Sequence, residues 1–161
     1  MRETVIGSRP IVLRRAAFEE IVRLREAVLI VGTDRDSPEF PGDHDETTRH
    51  FGAFDGQRAV GCLSFMLNEW DGRPAWQLRG MATDPDARGT GIGKALLQFA
   101  EETLLRDSEV RQMWCNARVA AVGFYVKQGW EVASEEFTIK GVGPHHKMTK
   151  RLAAEELHAS D

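Results

Sequence analysis

Three glycines, an arginine and a lysine fall within one short stretch near the middle of this 161-residue chain. The stretch runs Arg88-Gly89-Thr90-Gly91-Ile92-Gly93-Lys94, and a helical pattern of apolar residues follows it. Glycine N–H groups, with no side chain in the way, can converge on an anion at the positive end of a helix. With the charges of Arg88 and Lys94, the stretch predicts a phosphate-binding loop.

Two common phosphate-binding motifs do not fit this loop. A P-loop would need glycine at position 88 and a hydroxyl side chain after Lys94, where the chain has Arg88 and Ala95. The dinucleotide fingerprint G-x-G-x-x-G fails because its third glycine would fall at Lys94 or Leu96. The loop therefore favours neither a magnesium-nucleotide enzyme nor a dinucleotide-binding one, and a plain flexible connection is the remaining alternative.

The elements that must position this loop change character halfway along the chain. The first half predicts a strand, a helix and a three-stranded antiparallel meander, over residues 11–14, 17–30, 51–54, 58–67 and 74–83. The second half predicts a helix, a strand, a helix and two strands, over residues 91–105, 110–116, 117–128, 130–139 and 147–152. Together they predict an α+β fold: one mixed, mostly antiparallel sheet with helices on its faces.

The connections carry further signals. Residues 32–45, rich in Pro, Gly and Asp, predict a loop, and residues 46–50 a short helical turn. Asp55-Gly56 and residues 68–73 predict turns, and residues 141–146 a bend. Gly80, isolated inside a strand, predicts a bulge or a close backbone approach. Residues 153–161 are expected to fray.

Composition limits the function classes. A net charge of −4 disfavours nucleic acid or an anionic membrane as the main partner. No apolar run approaches the ~18 residues that span a bilayer, and the first ten residues lack the apolar core of a signal peptide. We therefore expect a single cytoplasmic domain over residues 1–161. Cys62 and Cys115 have no metal-type spacing and are expected to be buried apolar residues rather than nucleophiles.

Two blocks of the sequence resemble the GNAT superfamily of N-acetyltransferases. Residues 88–93 match its acetyl-CoA loop, R/Q-x-x-G-x-G/A, and the preceding MATDP resembles the end of its fourth strand. The second block resembles its other signature, with Asn116-Ala117, Ala121 and Phe124-Tyr125-x-Lys127-x-Gly129-Trp130. These blocks span residues 76–130, and the strand order extends the likeness to nearly the whole chain. The runs LREAVL (24–29) and GPHHKM (143–148) resemble a bacterial subgroup typified by ElaA and YjcF.

The resemblance implies a GNAT-like fold whose sheet splays open after its fourth strand, with acetyl-CoA bound by about residues 76–130. It implies direct acetyl transfer from acetyl-CoA, without a metal, to a primary amine of a small molecule or protein. Tyr125 resembles the family's general acid, which gives a proton to the leaving thiolate. The cofactor-binding residues that it implies are Met81, Ala82, Thr83, Arg88, Gly89, Thr90, Gly91, Ile92, Gly93, Lys94, Asn116, Phe124 and Lys127. Homodimers are common in the family, and the resemblance allows one here.

The general base is left open by the sequence. Glu69, His145, His146 or water alone could accept the proton of the amine. Because neighbouring strand residues face opposite sides, at most one of the two histidines is expected to face a cleft. A metal site formed by His44, His50 and the histidine pair is not expected, since no known ligand spacing matches.

The acceptor is also left open. Phe40, Trp70 and Trp76 could line its pocket, although such aromatic residues more often belong to the core. The acidic loop at residues 34–45 could attract a cationic amine, although a solvated surface loop is the simpler interpretation. A catalytically silent acyl-CoA-binding sensor is the alternative to an enzyme.

Overall fold

One twisted sheet organises the computed structural model, which describes residues 1–153. Its strands are β1 (Arg2–Ile6), β2 (Arg9–Arg15), β3 (Arg49–Asp55), β4 (Arg58–Trp70), β5 (Arg73–Thr83), β6 (Gln112–Arg118), β7 (Glu131–Val132), β8 (Phe137–Ile139) and β9 (Gly143–Arg151). The spatial order is β1-β2-β3-β4-β5-β6-β9-β7, with β8 also paired to β9. Within the described residues only β5 and β6 pair in parallel, so the predicted mixed, mostly antiparallel sheet is confirmed.

Helices cover both faces of the sheet. They are α1 (Phe18–Arg25), which continues as a π-helical turn (Glu26–Ile30), then α2 (Ile92–Asp107) and α3 (Val122–Lys127). Neighbouring residues of β4 face opposite sides. Cys62 accordingly packs with Ile21 of α1, while Leu63 packs with Leu96 of α2. Among residues 1–153, no helix combines the length and apolar character needed to cross a bilayer.

The first half of the chain departs from prediction at three places. Strand β1 was not predicted from the sequence; it pairs with β2 around a tight turn at Gly7-Ser8, where both φ angles are positive. The helical turn expected at residues 46–50 is wrong, because Arg49 and His50 already pair with β4. The turn expected over residues 68–73 is shorter, because β4 runs to Trp70 and only Asp71-Gly72 remain unpaired.

The second half departs from prediction around β9. Ala117 and Arg118 pair with His146 and His145 of β9, so β6 stays extended where residues 117–128 were expected to begin a helix. Both histidines consequently lie in a strand and not in a bend. The single strand expected over residues 130–139 is two short ones, β7 and β8. From residue 154 onward, the expected fraying falls outside the described residues.

The strands β5 and β6 separate after a short parallel contact. Their paired residues are Trp76 to Leu78 on β5 and Met113 to Cys115 on β6. Beyond that point β5 continues to Thr83 and β6 to Arg118, each bonded to its other neighbour. The sheet therefore splays open between them, as the resemblance implied.

A bulge at Gly80 accompanies this separation. Cys62 lies opposite Ala82, whereas Ser64 lies opposite Arg79, so β5 carries one extra residue in this interval. Gly80 has a φ of 65°, in the left-handed region that favours glycine. A Cβ at this position would lie 2.7 Å from Arg25 Nε. The bulge predicted from the isolated glycine is confirmed, and the close approach is to a buried guanidinium.

That guanidinium is the centre of a buried polar network. Arg25 Nη1 donates to Asp43 Oδ2 at 2.7 Å and to the Pro38 carbonyl at 3.0 Å, and both charged side chains are fully buried. Arg25 Nη2 donates to Ser64 Oγ at 3.0 Å. The same Asp43 oxygen accepts the Phe40 N–H at 2.6 Å. The network thus fastens the loop after α1 to the underside of the bulge.

His50 completes the network as a neutral ring. Its Nε2 lies 2.8 Å from the Asp43 carbonyl, which can only accept, so Nε2 carries the proton. Its Nδ1 then accepts from Ser64 Oγ at 2.6 Å. Burial is the largest influence on His50 and lowers its pKa, which favours this uncharged state.

Neutralising one partner of the buried pair should destabilise the fold. Asp43→Asn keeps the side-chain shape but leaves Arg25 charged and unpaired in the interior, so we expect a loss of about 3–5 kcal/mol in the free energy of unfolding. Urea denaturation measures this loss. Asp36→Asn, at an exposed position of the same loop, is the control and should change stability little. An equal, small effect of both substitutions would contradict the assigned role of the pair.

Candidate functional site

A cavity of about 210 Å³ lies where β5 and β6 separate. Its walls come from the π-helical turn, the loop that follows it, the parted strands, α3 and the hairpin of β8 and β9. The lining residues that concern the chemistry are Arg35, Arg79, Asn116, Arg118, Tyr125 and His145. The gap thus brings together residues that are distant in sequence.

The glycine loop lies between β5 and α2, at the start of the helix. The first intrahelical bond runs from the Ala95 N–H to the Gly91 carbonyl at 3.0 Å, so the amides of residues 91–94 precede it and have no partner within the helix. Gly91 has a φ of 93°, and a Cβ built there would meet no atom within 4 Å. The loop therefore offers backbone donors over open space.

The charges of the loop lie at its two ends. Arg88 and Lys94 are exposed, as are Gly89 and Thr90. Ile92 points the other way, because its side chain is buried in the core. Ile92 can therefore offer a ligand only its backbone, as the three glycines do. The open glycines, the helix N-terminus and two cations fit a pyrophosphate group.

Met81 and Thr83 extend from β5 toward this loop. A Cβ on Gly93 would lie 3.5 Å from Thr83 Oγ1, 3.6 Å from Met81 Cε and 3.5 Å from the ring of Phe124 in α3. Ala82, between them in sequence, faces the opposite side and packs with Cys62. Lys127, in the last turn of α3, is exposed. The two sequence blocks thus meet at the first turn of α2.

Tyr125 lies in the wall of the cavity, and its side chain is almost fully buried. Its hydroxyl donates to Met81 Sδ at 3.6 Å, and its ring packs against those of Phe124 and Trp130. Burial, with a smaller effect of Cys115, raises the pKa of this phenol well above its ordinary value. Tyr125 therefore keeps its proton at neutral pH and can act as an acid, not a base.

Asn116 faces the same cavity from β6. Its Oδ1 accepts from Lys147 Nζ at 3.1 Å, across the register of β6 and β9. Since an ammonium group only donates, the side-chain oxygen is the atom turned toward Lys147. The amide nitrogen of Asn116 keeps its two hydrogens for other partners.

The three candidate bases are separated by the structure. His145 is buried and lines the cavity, whereas His146 bonds to the Ser134 carbonyl at 3.1 Å and does not line it. This agrees with the expectation that at most one of the pair faces a cleft. Glu69 is exposed near the tip of the β4–β5 hairpin, where it pairs with Pro74, and it does not line the cavity.

His145 is held in one tautomer by its backbone neighbour. Its Nδ1 lies 2.7 Å from the Gly143 carbonyl, which can only accept a hydrogen bond. The neutral ring therefore carries its proton on Nδ1 and keeps a lone pair on Nε2. The ring also stacks on Phe137, which fixes its plane. Such a histidine can accept a proton at Nε2.

Other candidates have structural roles. Trp76 is buried in the main core and Trp70 packs on Trp114, whereas Phe40 does line the cavity. Cys62 and Cys115 are buried as expected, and burial raises the pKa of each thiol to about 12. Within residues 1–153, no three His, Cys, Asp or Glu side chains are grouped to hold a metal ion.

The arginines of the cavity were missed by sequence reasoning. Arg35 belongs to the loop after α1, Arg79 immediately precedes the bulge, and Arg118 ends β6. None of them belongs to a motif, and only the tertiary structure shows that they share one wall. The acidic loop at residues 34–45 gives the cavity Arg35 and Phe40, but none of its carboxylates.

Comparisons with known proteins agree with this geometry. A profile of the acetyltransferase (GNAT) family matches residues 16–130. The uncharacterized N-acetyltransferase YitI of Bacillus subtilis is 32% identical over 146 residues, which are 87% of this chain and 95% of YitI. The uncharacterized N-acetyltransferase YjcF of the same species is 27% identical over 128 residues, 79% of this chain and 87% of YjcF.

A solved structure shows the same fold. Escherichia coli ElaA superposes with a TM-score of 0.75 at 17% identity, over 87% of this chain and 99% of ElaA. The fold is therefore GNAT-like, and the resemblance to ElaA and YjcF noted in the sequence is confirmed. With a family profile covering most of the chain, the protein belongs to the GNAT acetyltransferase family and is an acyl-CoA-dependent N-acetyltransferase in the general sense of that family.

Proposed function

We propose that the protein transfers an acetyl group from acetyl-CoA directly to a primary amine, and that the amine belongs to a small molecule. The observation that carries this proposal is the gap between β5 and β6, with the glycine loop near one end and Tyr125 and His145 in its wall. At about 210 Å³, the cavity is smaller than the roughly 300–1,000 Å³ typical of pockets for drug-sized ligands. A small acceptor fits inside a cavity of this size.

The acetyl-CoA-binding half of the chain is about residues 76–130. The amides from Gly89 to Lys94 would hold the pyrophosphate, with Arg88 and Lys94 supplying positive charge. The backbone of Met81, Ala82 and Thr83 would pair with the pantetheine arm along the free side of β5. Asn116 would donate from its amide nitrogen across the gap, oriented by Lys147. Phe124 and Lys127 would flank the cofactor from α3.

Acetyl-CoA supplies the activated thioester, and this chain supplies the proton transfers. The amine must be neutral to attack, and His145 would take its proton at Nε2, since Nδ1 is bonded to the Gly143 carbonyl. Attack forms the new C–N bond and loss of the thiolate breaks the C–S bond. Tyr125 Oη holds the proton that the thiolate takes up, and burial of the phenol keeps it there until then. A backbone amide of β5 near Ala82 would stabilise the oxyanion between these steps.

An acyl-CoA-binding sensor is the competing function, and one experiment separates the two. Acetyl-CoA should raise the melting temperature of the protein, and addition of an amine panel should release free thiol that a chromogenic reagent detects. Stabilisation without thiol release from any amine would favour the sensor. Neither stabilisation nor release would contradict both functions. The cytoplasmic location stays a prediction from the sequence, and the resemblance allows a homodimer.

The glycine loop can be tested with two matched glycines. Gly91 and Gly56 both have positive φ, and neither has an atom within 4 Å of a built Cβ. Gly91→Val and Gly56→Val should therefore carry a similar backbone strain. Only Gly91→Val should weaken CoA binding, by about tenfold or more, because its side chain occupies the space over the loop amides. Calorimetric titration with CoA measures the affinity, and equal affinities for the two variants would exclude the loop as the pyrophosphate site.

The proposed role of Tyr125 as the general acid can be tested by removing its hydroxyl group. Tyr125→Phe removes the hydroxyl and keeps the ring that packs on Phe124 and Trp130. We expect kcat to fall about 100-fold, within the range of general acid catalysis, with little change in acetyl-CoA affinity. Steady-state thiol release gives kcat, and calorimetry gives the affinity. An unchanged kcat would show that the leaving thiolate takes its proton from elsewhere.

The base can be tested with two neighbouring histidines. His145→Gln removes the basic ring nitrogen at the cavity, whereas His146→Gln changes a ring that faces the other side. We expect kcat to fall about 100-fold in the first variant and to change little in the second. Thiol release at saturating substrates measures both. If the two variants lose activity equally, or neither does, His145 is not the base.

A further inference from the structure

The lining of the cavity between β5 and β6 carries more positive than negative charge. Arg35, Arg79 and Arg118 all line it, and no Asp or Glu does. Among residues 1–153, none of the three forms an ion pair with a carboxylate. The nearby Asp43 is fully buried and already paired with Arg25. Three guanidinium groups thus share one cavity whose lining residues include no carboxylate.

A buried ring holds two of these arginines in place. The guanidinium of Arg35 lies 5.2 Å from the centre of the Phe40 ring, and that of Arg79 lies 4.7 Å from it. Phe40 is in turn fixed by its N–H bond to Asp43. Such cation–π contacts hold guanidinium planes while leaving their N–H edges available to a ligand.

The third arginine is anchored at its end. Arg118 Nη2 donates to the Leu29 carbonyl at 3.0 Å, which leaves its other N–H groups for the cavity. Burial, and next the charge of Arg35, lower the pKa of both Arg79 and Arg118. Both side chains nevertheless stay charged at neutral pH, because the ordinary pKa of arginine is so high. Their mutual repulsion is a cost that an anion would relieve.

The arginines lie next to the proposed base and are distinct from the loop cations. Arg118 and His145 are directly opposite in the register of β6 and β9, and both line the cavity. Arg88 and Lys94, by contrast, belong to the loop at the start of α2. We call Arg35, Arg79 and Arg118 the arginine cluster. A ligand that places an amine at His145 would therefore have its neighbouring atoms within this cluster.

We propose that the acceptor is a small primary amine that also carries an oxyanion, a carboxylate or a phosphate, held by Arg35, Arg79 and Arg118. The inference rests on the proposed acetyltransferase function and adds the substrate class. Arginine forks match the oxygen pairs of both anions. The pairing of Arg118 with His145 in the register of β6 and β9 suits an amine close to the anion, as in an amino acid. A polyamine or another multiply cationic amine would meet like charges in this wall and is disfavoured.

Matched acceptor pairs test the substrate class. The panel contains small amino acids, each with its carboxamide, phosphoethanolamine with ethanolamine, and spermidine. Thiol release at saturating acetyl-CoA gives kcat/KM for each amine. We expect kcat/KM for the anionic member of an accepted pair to exceed kcat/KM for its neutral partner by about tenfold or more. This is the difference that one charged hydrogen bond makes. The amino acid pairs and the phosphoethanolamine pair show which anion is bound.

Arginine variants test whether the preference for an anionic amine comes from the arginine cluster. Arg35→Gln and Arg118→Gln should raise KM for the anionic amine about tenfold, with little change in KM for its neutral partner or for acetyl-CoA. Arg23→Gln, at an exposed position of α1, is the control and should match the unaltered protein. Because Arg35 donates no side-chain hydrogen bond to residues 1–153, its variant tests the charge even if Arg118→Gln disturbs the fold.

The outcomes separate the inference from the function on which it rests. Efficient acetylation of spermidine or of the neutral partners would overturn the anionic substrate class while leaving the acetyltransferase in place. A rise in KM for acetyl-CoA, and not for the amine, in both arginine variants would assign these residues to the cofactor and overturn the inference. Acetyl-CoA binding with no thiol release from any amine would contradict the proposed function itself.

Discussion

The parting of β5 and β6 after three paired residues is the constraint on which the rest of the structure depends. A parallel pair that continued to Thr83 and Arg118 would close the space between them and satisfy their facing backbone groups. Because it stops at Leu78 and Cys115, a cavity opens that α3, β9 and the loop after α1 can line.

Two local features accompany the separation, the bulge in β5 and the buried ion pair beneath it. The extra residue at Gly80 shifts the face of β5, so that Leu78 and Met81 both pack on the α2 side although three positions separate them. The buried Arg25 fills the space beneath the bulge and is neutralised by Asp43. A buried ion pair seldom exceeds an apolar pair in stability. Here it ties α1, the following loop and β4 together at the point where the sheet opens, and it fixes Phe40 beside Arg35 and Arg79.

Sequence reasoning succeeded where the signal is local. The loop from Arg88 to Lys94 follows β5 and leads into a helix, as the glycine pattern predicted, and Gly80 forms the predicted bulge. The blocks that contain Asn116 and Tyr125 identified the family, and both residues line the gap. Each of these features depends on residues close together in the chain and on backbone geometry that glycine permits.

The failures have a different physical origin. The length of β9 is decided by its long-range pairing with β6, which overrides the helical preference of residues 117–118 and moves His145 from a bend into the cavity wall. The arginine cluster arises because a loop, the bulge and a strand end converge in space, and no spacing in the sequence records this. The acidic segment thus gives the cavity one cation, Arg35, and none of its carboxylates, and its Asp43 turns inward to Arg25.

The central claim is that the gap between β5 and β6 receives the acyl donor, and a crystal structure of the protein with CoA tests it most directly. The account predicts density for the pantetheine arm between the backbone of residues 81–83 and Asn116, with the pyrophosphate on the amides of residues 89–94. The thiol would then end near Tyr125, and the arginine cluster would stay free for the acceptor. Density for CoA anywhere else, or a pyrophosphate bound by Arg35, Arg79 and Arg118, would contradict it.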